Sequence, residues 1–210
     1  MIEVTISNNK ARISLFTMFC IGFGFFLIVF TFFQWDLIDY LTSFFLPLLL
    51  LLLWAVLAII TLGSMIYIPF QFKKIRWKSI FPLFVNSIII FVLYFVPFNS
   101  LWLDFRFWTN KSDFEHIIKM YESGELQKPT ESGRIELPLK YKYLSKGGGD
   151  IFVDNSNGIT SMFFYTYRGI GNSSGFIYRS NDLPPTQYLL NRNCYQLERI
   201  EPKWFFCASD

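Results

Sequence analysis

"FKKIRWKS", residues 72–79, packs four of the chain's nineteen basic residues into eight positions, with apolar sequence on both sides. Those flanks decide the fold. Residues 13–33, 44–70 and 80–98 contain no Asp, Glu, Lys, Arg or His. A helix needs about 20 apolar residues to cross a bilayer core, and each run is near or above that length. A buried helix of a soluble protein would carry a polar stripe along such a length, and none of these does. Pro47, Pro69, Pro82 and Pro97 fall at or near the run ends, where they interrupt the least helix. Residues 1–99 are thus predicted to form a three-span transmembrane anchor, with the lipid bilayer as its first partner.

The basic cluster sets the direction of threading, because Lys and Arg beside short loops stay cytoplasmic. Lys10 and Arg12 precede the first span, and Lys73, Lys74, Arg76 and Lys78 lie between the second and third. The first loop, "QWDLIDYLTS", holds two Asp and no basic residue. All three segments agree on a cytoplasmic N-terminus, and three crossings then put everything after Phe98 outside the cytoplasm, at the cell membrane. Trp35 and Tyr40 fall at the outer interface on this reading, Tyr67 and Trp77 at the inner one. The first span is too long for the apolar region of a signal peptide, and no small-residue cleavage site follows it.

Composition divides the 210 residues in the same place. Hydrophobic residues make up 52% and aromatics 20%, yet only nine of the thirty-five charges precede residue 100. The remaining twenty-six divide into thirteen basic and thirteen acidic, so the net +3 belongs to the first half. A neutral second half is not the basic surface that nucleic acid requires, and no nucleic-acid partner is expected.

After the spans, "LWLDFRFW" alternates polar with apolar residues and reads as a juxtamembrane segment, 100–110, resting at the outer surface. "NKSDFEHIIKMYESGEL" reads as a helix, with Ser112 and Glu115 as a capping box and Phe114, Ile117, Ile118 and Tyr121 as its buried stripe. Gly124 is placed to end it. In "LPLKYKYL", Leu137, Leu139, Tyr141 and Tyr143 alternate as in a half-buried strand. "IFVD" and "ITSMFFYTYR" form a hairpin about "NSNG", "FIYRS" adds a strand, and "CYQLERIEPKWFFC" closes the domain as a last hairpin. The predicted class is therefore three transmembrane helices followed by a small extracytoplasmic α+β domain, 111–210, of one helix and an antiparallel sheet of five or six strands.

Folding the last hairpin between Ile200 and Glu201 sets Glu198 opposite Lys203, Leu197 opposite Trp204 and Tyr195 opposite Phe206. Four apolar side chains then share one face, and Cys194 meets Cys207 on the other. Directly opposed residues lie within disulfide range, and an exported domain permits the bond. Cys20, inside the first span, is expected to be a small apolar residue.

Catalytic chemistry finds little purchase. "GNSSG", 171–175, matches G-x-S-x-G with Ser173 as nucleophile, but strands flank it where that motif needs a strand-to-helix turn. His116 is the only histidine. "KGGGD" lacks the G-x-x-x-x-G-K-[ST] order of a phosphate loop and precedes a strand-like run where that loop opens a helix, and one His with two oxidisable Cys makes no zinc site. No cofactor is expected. Tyr165, Tyr167, Arg168 and Arg179 belong to the residue types that anchor protein interfaces. The function expected is a non-catalytic binding module (sensor, immunity-type or envelope accessory protein) facing another envelope or secreted protein. The alternatives are a membrane-tethered hydrolase using Ser173 and an accessory subunit of an envelope transport complex.

Overall fold

A computed structural model describes residues 15–127, 129–130, 132–156, 158–169, 171–185, 188–189 and 192–209, with the backbone alone at 38–44, 74–75, 188–189 and 192–193. Lys10 and Arg12, and the side chain of Lys74, fall outside this description. The chain divides into two units, residues 1–37 with 44–99, and residues 38–43 with 100–210.

In the first unit the backbone is helical over α1, Leu15–Ile75, and α2, Phe81–Phe95. Three lengths are long and apolar enough to cross a membrane: Leu15–Leu37, Phe45–Lys73 and Arg76–Phe95. A straight helix would separate Phe16 from Tyr67 by about 76 Å, yet their rings lie 5.3 Å apart. The chain therefore doubles back between the first two lengths. "QWDLIDYLTS", expected as an open loop, has helical backbone. At the other end of the first length, Trp35 Nε1 donates to Asn99 Oδ1 at 2.8 Å, so the end of the first length meets the residues just past the third. The basic cluster tightens into a 3₁₀ turn, Arg76–Ile80, closed by Ser79 Oγ donating to Arg76 O, with Trp77 exposed. Pro82 occupies the first turn of α2, where no amide is lost.

Leu27, Leu53, Leu57, Ile89 and Leu93 form the seam between these helices. Gly24 permits the closest approach: a Cβ there would stand 2.0 Å from Ile89 Cδ1. Cys20, Ser64 and Asn86, one from each apolar length, are buried against one another. Asn86 Nδ2 donates to Ser64 Oγ at 2.9 Å and lies 3.9 Å from Cys20 Sγ, while Ser64 donates back to Ile60 O. Asn86 thus serves internal packing, and its neighbour Ser87 turns outward with its hydroxyl on Leu83 O. Phe25, Leu51, Ile59 and Phe91 point outward and exposed, the arrangement that a lipid solvent rewards and water does not.

In the second unit, helix α3 spans Phe98–Glu122. Residues 100–110, expected as a juxtamembrane segment, form its first half. Pro97 ends α2 by holding Val96 extended, and the helix restarts at once. Ser112 therefore lies mid-helix, where no free amides remain to cap, and the capping box is not formed. Gly124, at φ +78°, ends the helix as expected.

The sheet has the order β1-β2-β3-β4-β7-β6-β5, with every neighbouring pair antiparallel. Its strands are Arg134–Glu136, Asp150–Ser156, Ile159–Arg168, Ser173–Arg179, Tyr188–Leu189, Arg192–Glu201 and Trp204–Ser209, β1 to β7. The expected strand "LPLKYKYL" is instead a 3₁₀ helix, Leu139–Leu144. Leu137, Tyr141 and Leu144 are buried at helical spacing, whereas Leu139 and Tyr143 are exposed, so the apparent alternation had no face behind it.

One face of the sheet takes Phe107 and Phe114 of α3. Phe114 lies 4.9 Å from Phe164 and 5.6 Å from Trp204, and Phe107 lies 5.2 Å from Phe176 and 5.3 Å from Trp204, ring centre to ring centre. Ile151, Val153, Met162, Tyr178 and Phe206 complete this core. The opposite face buries a smaller cluster of Phe163, Tyr165, Ile177, Phe205, Cys194 and Cys207.

Two outcomes test these assignments. Ser112→Ala is expected to change unfolding free energy by no more than about 0.5 kcal/mol, as for an exposed helix interior; a loss of about 1 kcal/mol would mean that Ser112 is a cap. In detergent titration, Gly24→Leu is expected to cost about 1–3 kcal/mol through overpacking and Asn86→Leu under about 2. A neutral Gly24→Leu would show that the first and third lengths do not meet there.

Candidate interaction surface

Of the four residues expected as possible partner contacts, Tyr165 is buried and Tyr167, Arg168 and Arg179 are partly exposed. Tyr165 is 7% exposed, and its ring is edge-on to Phe163. Arg168 lies over it at 5.0 Å and donates from Nη1 to Asp150 Oδ1 at 2.8 Å and to Gly147 O at 3.4 Å, which fastens the glycine turn to β3. Gly147, Gly148 and Gly149 all have positive φ, so "KGGGD" is a reversal leading into β2. Tyr167 is half-buried beside the β3–β4 bulge. Arg179 donates to Leu183 O and to Pro184 O, at 3.2 and 2.6 Å. It pairs with Ser161, whereas Arg168 pairs with Ser173, so the two arginines lie about 20 Å apart along the strands. They share no surface.

What stands exposed instead is β6. Tyr195 is 66% and Leu197 36% exposed. This follows from a register different from the expected one. Pro202 and Lys203 form the turn, with Lys203 at φ +67° and its amide donating to Asp182 Oδ1. Proline has no amide for a ladder position opposite Arg199, and it suits the first corner of a turn whose second corner has positive φ. Glu201 then faces Trp204, Leu197 faces Cys207, and Cys194 faces Ser209, with breaks in register at Tyr195 and Ile200. Trp204 and Phe206 go under α3 while Tyr195 and Leu197 do not, so the expected four-residue apolar face is divided.

The disulfide forms regardless. Cys194 and Cys207 are joined with their Cα atoms 5.6 Å apart, although Cys194 faces Ser209, two residues beyond Cys207. Closing a loop this short stabilises the domain by about 3 kcal/mol. At the other end of β6, Arg199 Nη2 grips both oxygens of Asp182, at 3.0 and 2.8 Å. The strand is thus fixed at both ends.

Along its outer side β6 pairs with β5 only at Arg192 and Asn193. Residues 194–201 have no strand on that side among the described residues. Such an edge presents backbone donors and acceptors to any extended chain. The irregularities at Tyr195 and Ile200 limit regular pairing to a short central stretch, 196–199, between exposed Tyr195 and the Asp182–Arg199 pair.

Comparison with protein-family models, with curated proteins and with solved structures gave no match.

Ser173 opens β4 and is 3% exposed, its hydroxyl 2.9 Å from that of Ser209. His116 lies on α3 with its ring 5.4 Å from that of Tyr141. Among the described residues no group of three His, Cys, Asp or Glu is placed to hold a metal ion. Asn110 and Asn172 formally open N-x-[ST] sequons; Asn110 is mid-helix, its amide donating to Arg106 O.

One titratable group reports on how the 3₁₀ helix is held to α3. Tyr143 donates its phenol to Asp113 and accepts at its carbonyl from Arg106 Nη2. Partial burial, then the Asp113 carboxylate, push its pKa up to about 12. The folded state therefore keeps a proton that the unfolded chain releases near pH 10. Stability from this group is whole below pH 10 and drains away as pH rises towards 12. Unfolding followed across pH 9–12 is expected to show this decline, and Tyr143→Phe to flatten it. An unchanged slope in the variant would mean that the phenol is free in solution.

Proposed function

We propose that this chain is a membrane-anchored, non-catalytic interaction module whose sheet domain works outside the cytoplasm and docks an extended segment of another envelope or secreted protein along β6. The observation that carries the reading is the open edge of β6, with Tyr195 and Leu197 exposed on a strand held at both ends. Edge addition gives affinity through backbone hydrogen bonds and specificity through alternate side chains, and tyrosine is the sort of anchor such contacts use. A pre-fixed strand also loses little entropy on binding.

Orientation is supported by the basic residues of the turn between the second and third lengths, and by a disulfide that suits an oxidising compartment. Burial of Ser173 in a serine–serine pair weighs against the hydrolase alternative, since a nucleophile must reach its substrate. No observation favours the transport-accessory alternative.

Reporter fusions after Ser79 and after Asn110 are expected to report opposite sides of the membrane, Ser79 inside. A photo-crosslinking residue at Tyr195 in the full chain is expected to give one discrete protein adduct that Leu197→Glu abolishes, whereas the same residue at Lys119 gives none. A cytoplasmic reporter at Asn110 would refute the orientation. An adduct from Lys119 but not from Tyr195 would refute the docking edge.

A further inference from the structure

Helix α3 carries a second surface besides the one that meets the sheet. Leu101, Phe105, Trp108, Ser112, Glu115 and Lys119 follow one another at spacings of four and three, which places them on a single line along the helix. All six are exposed, on the side away from Phe107, Phe114 and Ile117. The chemistry of this line changes abruptly. Its first three members are large and apolar, at 45%, 51% and 54% exposure; its last three are polar or charged. A helix face surrounded by water throughout has no reason to be apolar over two turns and charged over the next two.

We infer that the first half of α3 lies in the lipid–water interface, its Leu101–Phe105–Trp108 line in contact with the acyl and headgroup boundary, while the second half stands in water. Chain continuity selects lipid over other occupants. Only Val96 and Pro97 separate α3 from α2, whose last turns expose Phe91, Tyr94 and Phe95. Trp108 is about 15 Å of helix from Phe98, so the apolar line lies within reach of the bilayer surface and ends where that reach ends.

The residue types agree. Tryptophan prefers the headgroup level, where its apolar ring and polar N–H are both accommodated. Lys111 stands beside the line, its Nζ 5.1 Å from the Trp108 ring and 2.7 Å from Glu201 Oε2.

The inference rests on the membrane-anchored reading, and one experiment separates the two. The full chain, with Cys20→Ala and the Cys194–Cys207 bond intact, is spin-labelled singly through Ile59→Cys, Phe105→Cys, Trp108→Cys, Glu115→Cys or Lys119→Cys. Each variant is placed in nanodiscs of phosphatidylcholine and phosphatidylglycerol, and collision with oxygen is compared with collision with a water-soluble nickel chelate. The oxygen-to-nickel ratio is expected to be highest at Ile59, intermediate at Phe105 and Trp108, and severalfold lower at Glu115 and Lys119. Water-like ratios at Phe105 and Trp108 with a lipid-like Ile59 would overturn this inference alone. A water-like Ile59 would overturn the anchor as well. Spin–spin broadening at Trp108 that disappears when labelled chain is diluted with unlabelled chain would mean that a second copy covers the line, and would also overturn it.

Discussion

Phe114 is the contact on which the sheet domain depends. Its ring meets those of Phe107, Phe164, Phe176 and Trp204, contributed by α3, β3, β4 and β7. A buried aromatic of this kind removes a large apolar surface from water, worth about 1.5–3 kcal/mol, with further gain from edge-to-face geometry. The cluster draws the last strand, β7, into the middle of the sheet between β4 and β6. That placement buries Trp204 and Phe206 and leaves β6, the partner of β7, to form the outer part of the sheet. The exposed strand is thus a consequence of where the aromatic core was built.

The same helix explains why the domain needs no cap or linker at its start. Pro97 stops one helix and α3 begins immediately, committed on one side to the sheet by Phe107 and Phe114. Tyr143, through Asp113 and Arg106, fastens the 3₁₀ helix to it as well. With its inner side occupied in this way, α3 has only its outer side to offer to surroundings, and it is there that apolar residues give way to polar ones.

How much of this was legible in sequence varies with the range of the interaction. The three long apolar helical lengths were plain, because absence of charge over about 20 residues is a compositional signal that no tertiary contact has to supply. The β2–β3 hairpin and β4 were legible from apolar runs bounded by turn residues. The start of α3 was not, since Leu101, Leu103, Phe105 and Phe107 alternate as a strand does while Leu103, Phe107 and Phe114 also fit a helix; packing chose the helix. "LPLKYKYL" failed for the same reason. The last hairpin shows a subtler failure. Its turn is fixed by Asp182, some twenty residues upstream, which local patterning cannot weigh. The cysteine pairing survived the wrong register because the irregularities at Tyr195 and Ile200 shift Cys194 back towards Cys207. Arg168 and Arg179, expected as possible contacts, bond the carbonyls of neighbouring loops, and Tyr195, expected on a shared apolar face, is exposed.

The redox state of the cysteines in living cells tests the central claim, a disulfide-bonded sheet domain held outside the cytoplasm by apolar helices. Cells expressing the full chain would be quenched in acid, denatured and alkylated without reduction, and the three cysteines read by mass spectrometry. The account requires alkyl groups on Cys20 and none on Cys194 or Cys207, which should label only after reduction. Free thiols at both Cys194 and Cys207 in the quenched chain would contradict it.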